Sequence, residues 1–217
     1  MTDPVLDELI RALGADAVRT GAAIPARNGI DWSSLPPQPP KALILPRSTG
    51  EVSAALRICH AHGQAVTPQG GLTGLSGGAR PVKGGIALSL ERMNGVAEID
   101  AATATATVLA GTPLEIVQRA ADDAGFFFAL DIGARGSCTI GGNLGTNAGG
   151  NRVLRYGMAR ELVLGLEAVL PDGTVLTSLN KMLKNHTGLD LKQIFIGTEG
   201  IYGVITRAVL RLHPKPL

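Results

Sequence analysis

One glycine-rich stretch limits the possible folds of this chain more than any other part of the sequence. It is the twenty residues from Asp131 to Gly150, DIGARGSCTIGGNLGTNAGG. Seven of its residues are glycine and no apolar period runs through it, so it cannot fill a core. Ordering so many glycines costs backbone entropy, which a ligand in close contact with the backbone can offset. An extended anion bound by main-chain N–H groups fits best. A flexible linker is the alternative, but Cys138, Ile140 and Leu144 are unusual in linkers.

The composition indicates a globular chain and excludes several functional classes. Hydrophobic residues make up 45% and charged residues 18%, and the net charge of +2 is too small to indicate nucleic acid or a membrane surface. Two cysteines, Cys59 and Cys138, have no disulfide or metal-ligand spacing, which is typical of a reducing compartment. The N-terminus lacks a secretion signal, and no apolar run is long enough to span a bilayer. We therefore expect a cytoplasmic protein.

The first forty residues are predicted to form a helix followed by an extended connector. Asp3-Pro4 and the apolar residues after it indicate a helix that ends at Gly14. The run PPQPP near residue 40 is typical of an extended connector. We assign residues 1–40 to this part and residues 41–217 to the main domain.

Residues 41–84 are predicted to form a small parallel βαβ lobe. A strand at Lys41–Leu45 precedes a helix with a capping box at Ser48–Glu51, and a second short strand follows at Ala65–Thr67. This unit leads into a second glycine-rich loop, PQGGLTGLSGG, at residues 68–78. Such loops bind ligands at the carboxyl ends of parallel strands. The sequence is neither a dinucleotide fingerprint nor a P-loop, and a glycine-rich hairpin is the alternative.

Residues 85–217 are predicted to form a larger, mostly antiparallel lobe, which makes the fold class α+β. Strands are expected at Ile86–Leu90, at 96–100 and at 103–109. A capping box at Thr112–Glu115 indicates a helix, and Pro171-Asp172-Gly173 indicates a β-hairpin turn. A final strand is expected at Val204–Leu212.

Three glycine-rich segments, at residues 68–78, 131–150 and 197–203, lie far apart in the sequence. Two such loops from different lobes can hold a long cofactor between them. Main-chain N–H groups suit a pyrophosphate. Hydroxyl and amide side chains suit phosphate and ribityl oxygens; these are Thr73, Ser76, Thr139, Thr146 and Asn147.

The segments PQGGLTGLSGGARP, GARGSCTIGGNLGTNAGGNRVLRYG, LVLGLEAVLPDG and FIGTEGIYGVIT resemble the FAD-binding domain of the vanillyl-alcohol-oxidase/para-cresol-methylhydroxylase (PCMH) type. The resemblance covers roughly residues 40–215. It is greatest to the FAD-linked D-2-hydroxyacid dehydrogenases: D-lactate dehydrogenase, D-2-hydroxyglutarate dehydrogenase and the glycolate oxidase D subunit. It implies an enzyme that oxidises a D-2-hydroxyacid of the lactate, 2-hydroxyglutarate or glycolate class by hydride transfer to flavin N5.

The resemblance also implies which residues bind FAD, with the first loop around the pyrophosphate and the later segments along the ribityl chain and flavin. They are Pro68, Gln69, Gly70, Gly71, Leu72, Thr73, Gly74, Leu75, Ser76, Ser137, Thr139, Gly141, Gly142, Asn143, Thr146, Asn147, Gly150, Glu199, Gly203 and Ile205. Some members attach the flavin to a histidine in the first loop. This loop has none, so we expect non-covalent FAD. No catalytic residue and no metal ligand is assigned.

Members of the resembled family continue into a substrate-cap domain, and we expect that C-terminal domain to be absent from these 217 residues. The chain alone would then be incomplete as a dehydrogenase or oxidase. The implied partners are a small hydroxyacid, an electron-acceptor protein or quinone, the missing cap domain or a partner subunit, and a second copy in a homodimer. The alternatives are a non-catalytic FAD-binding subunit that needs a partner chain, a flavoenzyme of the same fold that is a phenol oxidase or an enolpyruvyl-sugar reductase, and a non-enzymatic scaffold.

A few reactive side chains allow two interpretations. His60 and His62 could bind a metal, but residues two apart on a helix face different directions, so solvated side chains are favoured. Cys138 could be a nucleophile, but a small packing residue is favoured. The choice between phosphate neutralisation and surface solvation stays open for Arg135, Arg152 and Arg155.

Overall fold

A computed structural model describes residues 3–216 of the chain. The helices are α1 (Pro4–Leu13), α2 (Thr49–Ala61), α3 (Leu114–Asp123), α4 (Ile140–Gly145) and α5 (Val153–Tyr156). The strands are β1 (Val18–Thr20), β2 (Ala42–Ile44), β3 (Val66–Gln69), β4 (Ile86–Ser89), β5 (Val96–Asp100), β6 (Thr105–Leu109), β7 (Phe126–Phe127), β8 (Val163–Val169), β9 (Val175–Ser178), β10 (Val204–Arg211) and β11 (His213–Pro214).

The first lobe is built on a four-stranded sheet with the order β1-β2-β4-β3. Strands β2 and β3 both run parallel to β4, so that Ile86 lies opposite Ala42 on one side and Val66 on the other. The prediction that strand 86–90 belongs to the second lobe is therefore wrong. All four residues of β4 are buried, as expected of a central parallel strand that is covered on both faces.

The N-terminal residues pack onto this lobe. Helix α1 begins as predicted, because Asp3 Oδ1 accepts a hydrogen bond from the N–H of Val5 at 3.2 Å. It lies beside α2, and the ring of His62 contacts the carboxylate of Glu8 at 2.9 Å. Strand β1, which was not predicted, then pairs antiparallel with β2 and forms an edge of the sheet.

The second lobe is a five-stranded antiparallel sheet with the order β5-β6-β10-β8-β9, which confirms the mostly antiparallel character. The predicted hairpin is present as β8 and β9. Its turn is closed by a hydrogen bond from the N–H of Gly173 to the carbonyl of Leu170 at 2.9 Å, and Gly173 has a φ of +87°. Strand β10, the last long strand in the chain, lies at the centre of the sheet.

The predicted capping box at Thr112–Glu115 is wrong. The N-cap residue of α3 is Pro113, and no side-chain hydrogen bond caps this end of the helix. The Thr112 side chain is fully buried, where its hydroxyl accepts from the N–H of Gly95 at 2.9 Å and lies 2.7 Å from the carbonyl of Leu109. This hydroxyl bridges the residue before β5 and the last residue of β6, and it is not available to the helix.

A buried carboxylate joins the two lobes. Glu167 on β8 is 9% exposed and accepts hydrogen bonds from the hydroxyls of Thr49 at 2.6 Å and Thr206 at 2.9 Å. Thr49 is the first residue of α2 in the first lobe. Close by, the Ser53 hydroxyl of the same helix donates to the carbonyl of Gly173 at 2.5 Å. These contacts help to fix the position of one lobe against the other.

Candidate functional site

A cleft of about 420 Å³ lies between the two lobes, and the three glycine-rich segments meet there. This volume is within the range of sites for small molecules and cofactors. The predicted site residues that line it are Pro68, Gln69, Gly70, Gly71, Leu72, Thr73, Gly74, Leu75, Ser76, Thr139, Gly141, Gly142, Asn143, Thr146, Glu199, Gly203 and Ile205.

Three predicted residues, Ser137, Asn147 and Gly150, are not among the residues that line the cleft. Ser137 presents its carbonyl to Gly71, and the Asn147 side-chain carbonyl accepts from the N–H of Arg160 at 3.0 Å. Gly150 lies against the carbonyl of Asp131, so the two ends of the long glycine-rich stretch touch each other. In the structure these residues support the shape of the loops.

Ten lining residues were missed from the sequence. Most are neighbours of predicted ones, so a wider margin around each glycine-rich segment would have included them. Leu90 is different, because it reaches the cleft only through the pairing of β4 with β3, where its N–H donates to the carbonyl of Gln69 at 3.1 Å. The missed residues are Gly78, Ala79, Leu90, Ile132, Cys138, Gly145, Ala148, Phe195, Gly200 and Val204.

The first loop rests directly on the second. A Cβ atom on Gly70 would lie 2.5 Å from Thr139 Oγ1, and one on Gly71 would lie 1.9 Å from the carbonyl oxygen of Ser137. Both separations are shorter than any real Cβ contact. Glycine is thus required here by the approach of one loop to the other, in addition to any approach by a ligand.

The first loop has many unused hydrogen-bond donors. Across residues 3–216, none of the seven main-chain N–H groups from Gly70 to Ser76 donates a hydrogen bond to another residue. Leu72 has a φ of +60°, a left-handed conformation that occurs where successive N–H groups converge on an anion. On the facing loop, Thr139 Oγ1 is buried with no hydrogen-bond partner among the described residues. These donors fit an extended ligand that is rich in acceptors.

Glu199 is the one charged residue among those described as lining the cleft. Its backbone has a φ of +54°, and its N–H donates to the carbonyl of Gly145 at 2.8 Å. Its carboxylate lies against Gly78, so this residue contacts loops of both lobes. An ionised carboxylate only accepts hydrogen bonds, so it offers a place for a ligand hydroxyl.

The three arginines left open by the sequence do not line the cleft. Arg135 and Arg152 each lie 3.3 Å from the carboxylate of Asp131. The guanidinium of Arg152 also lies over the ring of Phe127, and that of Arg155 over the ring of Tyr156. The three guanidinium groups thus contact Asp131 or aromatic rings and do not line the cleft. Main-chain N–H groups remain as the donors that could hold an anion there.

Cys138 lines the cleft but is not an activated nucleophile. Burial raises the pKa of its thiol above the ordinary value, and its sulfur lies 3.7 Å from the side-chain oxygen of Asn143. Between residues 3 and 216, no group of three or more His, Cys, Asp or Glu is arranged to hold a metal ion. None of the helices in that range combines the length and the apolar character that crossing a bilayer requires.

Residues 40–178 match the family described as the FAD binding domain. The chain belongs to this family of FAD-binding domains. It is 45% identical over 216 residues to the D-2-hydroxyglutarate dehydrogenase of Xanthomonas citri pv. viticola, an alignment that covers 100% of this chain and 46% of that protein. It is 49% identical over 187 residues to the mitochondrial D-2-hydroxyglutarate dehydrogenase of Bos taurus, which covers 86% of this chain and 34% of that protein. The chain thus spans less than half the length of these curated relatives.

Solved structures share the fold over nearly the whole chain. The structure of an alkyldihydroxyacetonephosphate synthase superposes with a TM-score of 0.86 and 25% identity, and covers 100% of this chain and 41% of that one. The structure of p-cresol methylhydroxylase with substrate bound superposes with a TM-score of 0.81 and 20% identity, over 98% of this chain and 43% of that one. The PCMH-type α+β fold expected from the sequence is confirmed.

Proposed function

We propose that this chain forms the FAD-binding part of an oxidoreductase that oxidises a D-2-hydroxyacid. The observation that supports it most directly is the row of seven unpaired N–H groups, Gly70–Ser76, on the wall of a cleft between two lobes. D-2-hydroxyglutarate is the first substrate to test, because the relatives at 45% and 49% identity are named for its oxidation. D-lactate and glycolate belong to the same chemical class.

Each part of the cleft has a role in this proposal. The N–H groups of Gly70–Ser76 bind the pyrophosphate, whose charge they can hold without a lysine or arginine. The hydroxyl of Thr139 donates to a phosphate or ribityl oxygen and so gains the partner that it lacks. Glu199 accepts from a hydroxyl of the cofactor, and Thr146 also lines the cleft. When bound, FAD supplies the acceptor for the hydride that leaves C2 of the hydroxyacid.

Non-covalent binding is part of the proposal. No histidine lines the cleft within the described residues, and the raised pKa of Cys138 disfavours the thiolate that a sulfur linkage would need. Acid precipitation of the holoprotein should therefore release all flavin into the supernatant. Flavin that remains in the pellet after acid treatment would contradict this part.

The groups that bind and deprotonate the hydroxyacid are assigned to no residue of this chain. We propose that a substrate-cap domain or a partner subunit supplies them, since the relatives extend well beyond the matched region. An electron-acceptor protein or a quinone then reoxidises the flavin, and a homodimer is the proposed assembly. The second candidate is a FAD-binding subunit that is inactive alone, and the lining of the cleft favours it, since Glu199 is the one charged residue among those described there.

Two measurements test the proposal. Titration of the apoprotein with FAD should quench the flavin fluorescence to a stoichiometric end point; protein that takes up no FAD excludes the proposed function. The holoprotein is then mixed under anaerobic conditions with D-2-hydroxyglutarate, D-lactate or glycolate, and L-2-hydroxyglutarate is the matched control. Loss of oxidised-flavin absorbance with a D-acid alone supports the dehydrogenase. Flavin binding without reduction, until a cap-bearing chain is added, supports the subunit.

A further inference from the structure

We propose that the N-terminal segment from Ala26 to Pro36 positions the first loop for the cofactor, and that Asn28 is its central positioning residue. This inference rests on the proposed role of the Gly70–Ser76 N–H groups in binding FAD. It assigns a function to residues that precede the family match and that the sequence indicated only as a connector.

Asn28 and Gln69 form a buried pair at the base of the loop. Each residue is 1% exposed. The Asn28 side-chain N–H donates to Gln69 Oε1 at 2.8 Å, and Gln69 Nε2 donates back to the main-chain carbonyl of Asn28 at 2.9 Å. Gln69 Nε2 also donates to the carbonyl of Ala79 at 2.8 Å. Because Gln69 and Ala79 flank the loop, this one pair holds both of its ends.

The same segment contacts the middle and the far side of the loop. The N–H of Trp32 donates to the carbonyl of Gly74 at 2.9 Å. A Cβ atom on Gly77 would lie 2.5 Å from the side chain of Leu35, so the two chains are in close contact. Beyond the loop, Arg80 Nε donates to the carbonyl of Pro36 at 2.5 Å. The loop is supported along its whole length.

This arrangement explains how seven adjacent N–H groups can remain unpaired in a fixed loop. A glycine-rich loop without support gains entropy by disorder, and it can also pair its own donors and acceptors. Here the fixed contacts use side-chain amides and a main-chain carbonyl, which leave the N–H groups of Gly70–Ser76 free. A donor set that is ordered before the ligand arrives binds it more tightly, since less ordering remains to be done.

Binding of FAD and ADP to the apoprotein tests the inference. ADP carries the pyrophosphate and lacks the flavin, so it reports on the first loop. Asn28→Ala should raise the dissociation constants of both ligands about tenfold. Gln69→Ala should raise them by a similar factor. The double variant should bind both ligands no more weakly than the single variant with the higher dissociation constants, because the pair acts as one unit. Arg80→Met, which removes a partly exposed contact and is expected to fold, should weaken both ligands about threefold.

Val5→Ala on α1 and Ser34→Ala on the segment itself are the controls. Val5→Ala lowers the free energy of unfolding through the core and should leave both dissociation constants unchanged, whereas Ser34 is exposed and should change neither quantity. Hydrogen exchange gives a second readout: FAD should protect the amides of residues 70–76 in the wild type and less so in Asn28→Ala.

The inference is overturned if Asn28→Ala and Arg80→Met reduce only the free energy of unfolding and bind FAD and ADP like the wild type. It is also overturned if amides 70–76 are protected equally in both proteins. Wild-type protein that binds no FAD contradicts the proposed function instead, so the two failures are distinguishable.

Discussion

The carbonyl oxygen of Ser137 lies 1.9 Å from the place that a Cβ atom on Gly71 would occupy. The nearest obstacles are all main-chain atoms of Ser137 and Cys138, which cannot rotate away as a flexible side chain would. The two loops that line opposite sides of the cleft are therefore in backbone contact at this point. The width of the cleft at this end depends on the absence of one methyl group.

Gly71→Ala should destabilise the apoprotein and weaken FAD binding, because the added methyl group forces the loops apart. Overpacking of this kind costs about 1–3 kcal/mol of the free energy of unfolding. Urea denaturation of the apoprotein measures it. Gly74→Ala is the matched control in the same loop, since its Cβ would meet no atom within 4 Å. Equal stability of the two variants without ligand would show that the contact with Ser137 is not tight.

Replacement of Glu167 should loosen the junction between the lobes. Glu167→Leu leaves the hydroxyl of Thr49 without its acceptor and leaves that of Thr206 only the main-chain carbonyl of residue 167, at 3.4 Å. A buried unsatisfied group costs about 1–3 kcal/mol of the free energy of unfolding. Glu167→Gln keeps one oxygen acceptor and should lose less. Thr187→Val, on an exposed segment, should stay within about 0.5 kcal/mol of the wild type. If Glu167→Leu is as stable as this control, the buried carboxylate does not stabilise the junction.

His213 should make the protein less stable as the pH falls below neutrality. Burial lowers the pKa of His213 below its ordinary 6.5, and the positive charges of Arg211 and Arg155 lower it further. The unfolded chain therefore takes up the proton first, so the stabilisation is full above about pH 6.5 and is lost as the pH falls through the lowered folded pKa. Urea denaturation at a series of pH values from neutral to mildly acidic should show a smaller loss for His213→Phe. Arg155→Met should show an intermediate loss, and identical profiles for all three proteins would contradict the assignment.

Both thiols should resist alkylation in the native protein. Burial raises the pKa of Cys59 to about 11, and burial also raises the pKa of Cys138. Because the thiolate is the reacting form, iodoacetamide near neutral pH should modify neither residue until the chain is unfolded. Ser34→Cys places a thiol on the surface as a reactive reference, read by mass spectrometry. Modification of Cys138 as fast as that reference would show an accessible or activated thiol.

Short-range signals in the sequence predicted the elements that local chemistry determines. Asp3 and Pro4 start α1, and the turn at Pro171–Gly173 joins β8 to β9. The glycine-rich segments were correctly expected to meet. A loop without an apolar period does not fill a core, so its glycines indicated that the backbone approaches a ligand closely. The residues that line the cleft within these segments followed from that expectation together with the family resemblance.

The errors concern contacts between residues far apart in the chain. Nothing in the sequence of β4 shows that it lies between β2 and β3, since strand order depends on how the whole sheet is assembled. The hydroxyl of Thr112 could bond either to the first turn of α3 or to a residue distant in the chain. In the structure it bonds to Gly95 and does not cap the helix. Asn28 and Gln69 are 41 residues apart, and their pairing could not be read from either neighbourhood.

The position of β10 determines how far this fold can be shortened or transplanted. The family match ends at residue 178, whereas the strand that pairs with both β6 and β8 begins only at Val204. A fragment of residues 40–178 would therefore carry two separate edges, β6 and β8, each with a row of unpaired backbone groups that other chains can join. Such a fragment should aggregate. A cofactor module grafted into another protein would have to include both the N-terminal segment and β10, although neither lies within the matched stretch.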